Sequence, residues 1–280
     1  VISMILYNFI AKYYGPEMVG LIGLVGSIAI LIGMVGTLGF HISILRFIPE
    51  YEVKHSKKDS YLIFDYILIV VATFSIILSV LFFIFNNLFI NILENQFIKQ
   101  NYIIIVISAL IVIKPISMVL NSALRAFSFN KFFALYQFFT PLTNLIFFFI
   151  FLSFLPLSSP LFALLISFIL PSIVAWLVIK YHFFNNKYHT KNKSINASNE
   201  IPITLKTSIP ILMAAYAGII ASEAGIIILS TTSSQNELGL YVIALKISLL
   251  SSLAMKALNA ILAPKVSYLF NLDKIDDMFV

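Results

Sequence analysis

The sequence contains no cysteine among its 280 residues, and only 11% of its residues are charged. The absence of cysteine excludes disulfide frameworks, thiolate zinc sites, iron–sulfur clusters and cysteine nucleophiles. A soluble domain carries about 25% charged residues, so this chain lacks the polar surface that a particle in water requires. With 10 glycines and 10 prolines, it also lacks the composition of a fibrous or disordered protein. Together these absences exclude a soluble enzyme.

Apolar residues make up 60% of the chain, and its mean hydropathy is +1.01. A helix needs about 20 apolar residues to cross a bilayer. That length predicts an incomplete first span at residues 1–12 and full spans at 19–44, 62–90, 102–124, 132–155, 160–182, 208–231 and 239–263. The sequence therefore predicts an all-α integral membrane protein, a bundle of about eight transmembrane helices.

The distribution of Lys and Arg predicts the orientation of these spans. If the residue 1 side is cytoplasmic, 13 of the 18 cationic residues fall in inner segments and only Lys12 and Lys99 fall in outer segments. The other three, Lys114, Lys246 and Lys256, fall within spans. Because cytoplasmic loops are enriched in Lys and Arg, we expect a multi-pass protein of the cell membrane with its C-terminus also in the cytoplasm.

A polar stretch rich in Asn, Lys and Ser divides the chain. Residues 185–206 are predicted to be a cytoplasmic linker. Residues 1–184 would then form an N-terminal transmembrane lobe with spans one to six, and residues 207–280 the start of a C-terminal lobe with spans seven and eight. The chain begins at Val1 inside an apolar segment, so we expect it to be a fragment.

A weak internal repeat connects the two predicted lobes. A shift of 219 residues aligns the second span with the eighth without a gap, and both segments have an acidic residue just before a glycine at their outer ends. The identical pairs are Gly20 and Gly239, Leu21 and Leu240, Ile28 and Ile247, Leu31 and Leu250, and Ile42 and Ile261. Two Ile-rich helices can share such identities by chance. If the repeat is real, it predicts parallel halves with a substrate site between them and a parent protein of about twelve spans.

Four short stretches carry a family resemblance: Tyr14-Gly15, the segment from Gly39 to Tyr51, the segment from Asn236 to Tyr241, and the segment from Ala263 to Ser267. They resemble the O-antigen type oligosaccharide and polysaccharide flippases of the multidrug/oligosaccharidyl-lipid/polysaccharide exporter superfamily. The resemblance implies a MATE-like two-lobe architecture, with the second lobe truncated here. Many of these relatives carry an Asp that aligns with Gly225, whereas this chain has Glu223 two residues earlier. That departure puts an acidic coupling role in doubt.

Ionisable residues within spans are candidate functional groups, because each costs about 2.5 to 3.5 kcal/mol to insert. Lys114, near the centre of the fourth span, is predicted to bind an anionic lipid head group. The alternative is a structural lysine paired with Glu223 or with a backbone carbonyl. Lys256 shares one helix face with four polar residues, and Lys246 lies beside that face; the four are Tyr241, Ser248, Ser252 and Asn259. This polar face predicts either a substrate wall or a contact between helices.

Three further sites are predicted with an alternative for each. Gln137 and Asn144 lie on one face of the fifth span, where sugar hydroxyls or neighbouring helices would use them. Arg46, at the predicted cytoplasmic mouth, would meet a pyrophosphate or extend to the interface as a structural cation. Glu223 in the seventh span would carry a coupling ion or act as a counter-ion for a buried lysine.

Six of the ten glycines lie in the second span, where they suit either a sliding helix interface or tight static packing. These are Gly20, Gly23, Gly26, Gly33, Gly36 and Gly39.

The sequence contains neither a nucleotide-binding loop nor an H-E-x-x-H metal pair, so no cofactor, metal or catalytic residue is predicted. We expect a non-enzymatic transporter that flips a polyprenyl-pyrophosphate-linked oligosaccharide across the cytoplasmic membrane by alternating access, in a pathway of polysaccharide biosynthesis. Its predicted partners are this lipid-linked oligosaccharide, the bilayer, and a glycan polymerase or glycosyltransferases, with no nucleic acid. The alternatives are a multidrug and toxin extruder of the same fold, a membrane-embedded glycan polymerase or ligase, and a scaffold without transport. An excess of in-span Lys over Glu favours an anionic cargo.

Overall fold

The computed structural model describes residues 2–87, 101–155, 158–185 and 197–248, and the regular structure in these ranges is α-helical. Eight of the helices are α1 Ile2–Tyr14, α2 Pro16–Gly36, α3 Phe40–Lys54, α4 Lys57–Ile84, α5 Asn101–Ala126, α6 Asn130–Phe154, α7 Ser159–Asn185 and α8 Ala197–Thr232. Residues 235–248 are the described part of a further helix, α9. The predicted all-α fold class is confirmed.

Six segments within the described ranges are long and apolar enough to cross a membrane. They are Pro16–Lys54, Lys57–Ile84, Asn101–Ala126, Asn130–Phe154, Ser159–Phe183 and Pro202–Thr232. These segments confirm the predicted multi-pass membrane bundle and coincide with the six predicted spans between residues 19 and 231. The predicted span at 239–263 extends beyond the described residues and stays a prediction.

The predicted second span, residues 19–44, is not one continuous helix. Helix α2 ends at Gly36, and α3 begins at Phe40 after a turn in which Leu38 has φ 51° and Gly39 has φ 81°. The Thr37 hydroxyl donates to the Met34 carbonyl at 2.8 Å and accepts the Gly39 N–H at 3.2 Å, which stabilises the turn. Apolar residues continue through the break, so hydropathy alone did not reveal it.

Helix α8 begins inside the segment predicted to be a linker. Its first residue is Ala197, whereas the linker was expected to extend to residue 206 and the seventh span to begin at 208. In the first turn of α8, Glu200 accepts a hydrogen bond of 2.6 Å from the hydroxyl of Tyr51 on α3. This tertiary contact stabilises a helix start that the local polar composition does not predict. The division into two lobes stays a prediction.

Helices α2 and α5 form the centre of the bundle. In the most apolar stretch of each segment, two-thirds of the residues are buried in the α2–α3 segment and 56% in α5. The corresponding fractions are 11% in α6 and 6% in α8. One apolar core surrounds residues 103–111 of α5, and a second surrounds residues 119–126 of the same helix. Lys114 therefore lies on α5 between two apolar cores.

The two ends of the bundle differ in charge. The end where α3, α5 and α7 finish and α4, α6 and α8 begin is named the basic end, and the other is the opposite end. Apart from Lys12 and the two lysines within spans, the described cations belong to the basic end: Arg46, Lys54, Lys57, Lys58, Arg125, Lys131, Lys180 and Lys206. This asymmetry agrees with the predicted orientation, although the side of the membrane that each end faces stays a prediction.

Helices α2 and α9 cross in a symmetric contact near the opposite end. A Cβ atom placed on Gly20 would lie 2.9 Å from both the carbonyl oxygen of Gln235 and the backbone nitrogen of Gly239. A Cβ placed on Gly239 would in turn overlap the carbonyl of Pro16. The 219-residue shift relates Gly20 to Gly239 and Pro16 to Gln235, so each contact has its symmetry-related mate. Such reciprocal contacts are expected at a two-fold axis between repeats.

Candidate functional site

A cavity of about 690 Å³ lies between α1, α2, α5, α7, α8 and α9, and it is named the central cavity. Its walls bring together three of the predicted site residues, Lys114 of α5, Glu223 of α8 and Lys246 of α9. The polar and charged residues that line it are Tyr7, Ser27, Lys114, Ser222, Glu223, Tyr241, Lys246 and Ser248. The charged groups among these residues are two lysines and one glutamate.

The Lys114 ammonium donates a hydrogen bond of 2.8 Å to the carbonyl of Gly26 on α2 and lies 5.8 Å from the ring centroid of Phe168. The next residue, Pro115, packs against two glycines of α2. Cβ atoms placed on Gly33 and Gly36 would lie 3.4 and 3.1 Å from the Pro115 ring. The missing side chains let α2 approach α5 closely. The tight contact of Pro115 with Gly33 and Gly36 therefore positions Lys114. The observed partner of Lys114 is a backbone carbonyl, as one of the predicted alternatives has it.

Glu223 accepts a hydrogen bond of 2.5 Å from the Ser27 hydroxyl. Its partner Ser27 is adjacent in sequence to Gly26, the partner of Lys114, so neighbouring residues of α2 hold the acid and the base. The ion pairs within 4 Å among the described residues join Arg46, Lys54 and Lys57 to Glu50 or Glu52, all outside the cavity. Glu223 thus balances the charge of Lys114 across the cavity rather than by direct contact.

Lys246 lies with its ammonium 5.2 Å from the ring centroid of Tyr7, an arrangement in which the electron-rich face of the ring attracts the cation. The same lysine also lines a neighbouring cavity of about 380 Å³ against α1. Tyr241 and Ser248, two members of the predicted polar face of the eighth span, line the central cavity. The described part of that face therefore borders a cavity, while its other members, Lys256 and Asn259 among them, lie outside the described residues.

At the interface between α2–α3 and α8–α9, close helix contacts lie on either side of the central cavity. Near the opposite end, α2 and α9 touch at Gly20 and Gly239. Toward the basic end, the hydroxyls of Ser43 on α3 and Ser208 on α8 lie 2.6 Å apart, and a Cβ on Gly39 would overlap the Ser208 carbonyl. These two contacts are named the α2–α9 junction and the α3–α8 junction. The two junctions restrict the central cavity at both ends of this interface.

The family of proteins described as "Polysaccharide biosynthesis protein" matches the chain over residues 1–268. The chain belongs to this family. It is the family of polysaccharide and oligosaccharide flippases within the multidrug/oligosaccharidyl-lipid/polysaccharide exporter superfamily, so the predicted resemblance is confirmed. No curated protein and no solved structure matches the chain.

Position 225, where the resemblance predicts an Asp in many relatives, lies against Tyr241. A Cβ placed on Gly225 would overlap the hydroxyl of Tyr241 and lie 2.9 Å from its ring carbon Cζ. A larger side chain at position 225 therefore requires Tyr241 to move. The acidic group of this wall is instead Glu223.

Three predicted site residues of this polysaccharide biosynthesis protein do not line the central cavity. Gln137 is exposed on α6, and Asn144 is half-buried on the same helix; neither belongs to the cavity wall. Arg46 lies at the basic end, where its guanidinium is 3.4 Å from the carboxylate of Glu50 and its side chain is 71% exposed. Its position agrees with the alternative of an interfacial cation. Binding roles for these residues stay predictions.

Sequence reasoning missed three polar residues of the cavity wall, Tyr7, Ser27 and Ser222. Ser27 contributes the hydrogen bond to Glu223, and Tyr7 contributes the ring that faces Lys246. A signal for Ser27 was present, because it is the one side chain of α2 beyond Glu17 that carries a hydrogen-bonding group. Nothing in the sequence distinguishes Tyr7 from the other aromatic residues of α1. Within the described ranges, no three His, Asp or Glu side chains are grouped to hold a metal ion.

Proposed function

We propose that this protein flips a polyprenyl-pyrophosphate-linked oligosaccharide from the inner to the outer leaflet of the cytoplasmic membrane. The observation that supports this proposal is the central cavity, which has two lysines and one glutamate in a chain that belongs to the polysaccharide biosynthesis protein family. A cavity of net positive charge within a membrane bundle favours an anionic substrate over a cationic drug.

The partners of the two lysines suit a substrate that must bind and then leave. Lys114 donates to a neutral carbonyl, and Lys246 faces a neutral ring. A pyrophosphate oxygen would replace either partner with a stronger, charge-assisted hydrogen bond. Since neither lysine contacts a carboxylate of the described residues, substrate binding breaks no ion pair within this part of the chain. Ser222, Tyr241 and Ser248 would then face the first sugars with hydroxyl groups.

The two junctions supply the gates of the proposed cycle. Opening the α3–α8 junction at the basic end would admit the substrate from the cytoplasmic leaflet, and opening the α2–α9 junction would release it on the other side. Each junction is made mostly by small residues and backbone, so helices can separate there without disrupting interdigitated large side chains. Translocation makes and breaks no covalent bond.

The membrane potential would supply the driving force for the return step. An empty cavity of net positive charge that moves through the field gains or loses about 2.3 kcal/mol per charge per 100 mV. A bound pyrophosphate carries more negative charge than the described cavity residues carry positive charge, so it reverses the sign, and the loaded and empty cavities respond oppositely to the potential. This difference biases the cycle toward export.

A flipping assay in proteoliposomes tests the proposal. A fluorescent polyprenyl-pyrophosphate-linked oligosaccharide is incorporated, and its accessibility to an external glycosidase is followed with time for the wild type, Lys114→Ala and Lys246→Ala. One lost charge-assisted hydrogen bond, worth about 1.5 to 3 kcal/mol, predicts a decrease of about tenfold or more in flipping at low substrate concentration.

The matched control is Lys58→Ala, which removes an exposed cation from α4 at the basic end and is expected to flip at the wild-type rate. Wild-type flipping by both cavity variants would contradict the cationic-cavity account. Efflux of cationic drugs without flipping would identify an extruder instead, and elongation of the glycan would identify a polymerase.

A further inference from the structure

Two hydroxyl groups of the central cavity, those of Ser222 and Tyr241, differ in how their protons are used. The Ser222 hydroxyl donates to the carbonyl of Ile219 at 2.9 Å, so its one proton is engaged and it can only accept from a ligand. The Tyr241 hydroxyl makes no hydrogen bond to any residue that the structure describes, so it can donate to a ligand. The other two serines of the wall resemble Ser222, since each donates within the protein; they are Ser27 and Ser248. The wall therefore offers acceptors on its serines and a donor on α9.

Gly225 brings the hydroxyl of Tyr241 close to that of Ser222. A Cβ atom placed on Gly225 would overlap the Tyr241 hydroxyl and lie 3.2 Å from the ring carbon Cε1, so the phenol rests directly on the backbone of α8. Ser222 and Gly225 are three residues apart on α8, and positions with this spacing are neighbours on a helix surface, with Cβ positions about 5 to 6 Å apart. The donor of α9 and the acceptor of α8 therefore form a pair, named the Ser222–Tyr241 pair.

The Ser222–Tyr241 pair lies between a cavity lysine and one of the two junctions. Tyr241 is five residues before Lys246 on α9, which corresponds to about 7.5 Å along the helix axis. Gly239, which makes the α2–α9 junction, lies two residues before Tyr241. A glycan attached to a pyrophosphate at Lys246 and directed toward the α2–α9 junction would therefore meet this pair with its first sugar.

We infer that the Ser222–Tyr241 pair binds the first sugar of the cargo through two neighbouring hydroxyl groups, one donating to Ser222 and the other accepting from Tyr241. The inference rests on the proposed function, which supplies the cargo. Each sugar hydroxyl can donate and accept, so two adjacent ones bridge a donor and an acceptor that lie side by side. Tyr7 has its ring against Lys246, which places it beside the pyrophosphate instead. The pair therefore selects cargo whose first sugar carries a vicinal diol.

Two synthetic cargo lipids test this selection in proteoliposomes. One is polyprenyl-pyrophosphate glucose, and the other is its 3-deoxyglucose analogue, which keeps the ring but has no two adjacent free hydroxyls. The flipped fraction is measured as radiolabelled sugar phosphate released by an external pyrophosphatase, which acts at the same bond in both lipids. We expect the wild type to flip the glucose lipid about two- to tenfold faster at low substrate concentration, because the analogue loses one hydrogen bond.

Tyr241→Phe and Ser222→Ala each remove one partner of the diol, so both should bring the ratio of the two rates close to one. The matched controls are Tyr216→Phe and Ser230→Ala, on α8 outside the cavity wall. Ser230 donates to the carbonyl of Ile227 at 2.6 Å, three residues earlier, as Ser222 does to Ile219. Both controls should keep the wild-type ratio.

The role of Gly225 is tested by the same ratio of rates. Gly225→Ala displaces the Tyr241 hydroxyl and should lower the ratio as Tyr241→Phe does, whereas Gly225→Ala/Tyr241→Phe should lower it no further. Gly218→Ala, at a position with open space around it, should leave the ratio unchanged.

The outcomes separate this inference from the proposed function. Equal rates for the two lipids in the wild type, or a wild-type ratio in both Tyr241→Phe and Ser222→Ala, would overturn the inference and leave the proposed function intact. If the wild type flips neither lipid nor the complete lipid-linked oligosaccharide, the proposed function is wrong and the inference falls with it.

Discussion

At the scale of single residues, the charge of the central cavity depends on how α2 holds Lys114 and Glu223 apart. Gly26 accepts from Lys114, and its neighbour Ser27 donates to Glu223, so the base and the acid are held by adjacent residues of one helix. A direct salt bridge would hold both side chains together and leave little charge for a substrate. The arrangement instead keeps the ammonium available while the carboxylate limits its electrostatic repulsion with Lys246.

Replacing Glu223 with Gln should separate substrate binding from transport. The amide keeps an oxygen that can accept from Ser27, but the net charge of the described cavity residues rises from one to two positive charges. We expect tighter binding of the pyrophosphate lipid and slower flipping, since release becomes harder. Equilibrium binding and the proteoliposome rate are measured on the same preparation.

The matched control for that prediction is Glu237→Gln, which neutralises an exposed acid in the first turn of α9 outside the cavity. It should change neither quantity. If Glu223→Gln weakens binding, Glu223 does not act as a counter-charge and our reading of the cavity electrostatics is wrong.

At the scale of elements, the break between α2 and α3 lets one segment serve two interfaces. Helix α2 makes the α2–α9 junction and also packs against α1, α4, α5 and α8, whereas α3 makes the α3–α8 junction and packs against α4 and α5. Gly39 is essential to this change of direction, because its φ of 81° is unfavourable for residues with a Cβ and because the Ser208 carbonyl occupies the space of one. The six glycines of the predicted second span thus include Gly39, the residue from which a new helix starts.

Replacing Gly39 with Ala should open or destabilise the α3–α8 junction. The left-handed backbone conformation alone costs an alanine about 1 to 2 kcal/mol, and the overlap with Ser208 adds to it. We expect a lower thermal unfolding temperature in detergent, together with faster hydrogen exchange in α3 and the first turns of α8.

Gly218→Ala is the control for this substitution, because Gly218 is exposed in α8 with open space around it. Alanine is favoured over glycine in a helix by about 1 kcal/mol, so this variant should be neutral or slightly stabilised. Equal unfolding temperatures for the two alanine variants would show that the α3–α8 junction does not depend on Gly39.

At the scale of the whole molecule, the reciprocal contacts of α2 and α9 agree with an approximate two-fold axis that would relate positions 219 residues apart. A second pair supports it: a Cβ placed on Gly23 would be 3.5 Å from the Cβ of Val242, and the shift of 219 relates these two positions. A residue touches its own symmetry mate only near such an axis. These contacts agree with the predicted repeat, which stays a prediction.

The same pair offers a test of the α2–α9 junction as a gate. A Cβ separation of about 3.5 to 4.5 Å suits a disulfide, and the chain has no cysteine of its own to interfere. Gly23→Cys/Val242→Cys should form an intramolecular disulfide under oxidation and stop flipping until a reductant is added. The pair Ile69→Cys/Val242→Cys, with Ile69 on the exposed face of α4, serves as the uncrosslinked control. Full flipping by the oxidised Gly23→Cys/Val242→Cys protein would show that this junction need not open.

The sequence by itself determined that the chain lies in a membrane, that its fold is all-α, and where most of its helices lie. Few charges and long apolar runs leave a chain no stable alternative to spanning a bilayer as helices, so six spans were placed correctly and the family resemblance was confirmed. The depth of Lys114, Lys246 and Glu223 within predicted spans also identified them as candidate functional residues, because a charge in hydrocarbon requires a cavity or a partner.

Only the tertiary structure decided how those charges are arranged and which polar residues meet them. The partner of Lys114 is a backbone carbonyl, a group that every residue carries and that no side-chain pattern reveals. The break at Gly39 and the early start of α8 at Ala197 depend on contacts between α3 and α8, which are remote in sequence. Gln137 and Asn144 share a helix face with a polar pattern, yet helix packing places them outside the central cavity. Periodicity determines which residues share a face, whereas packing against neighbouring helices decides what that face meets.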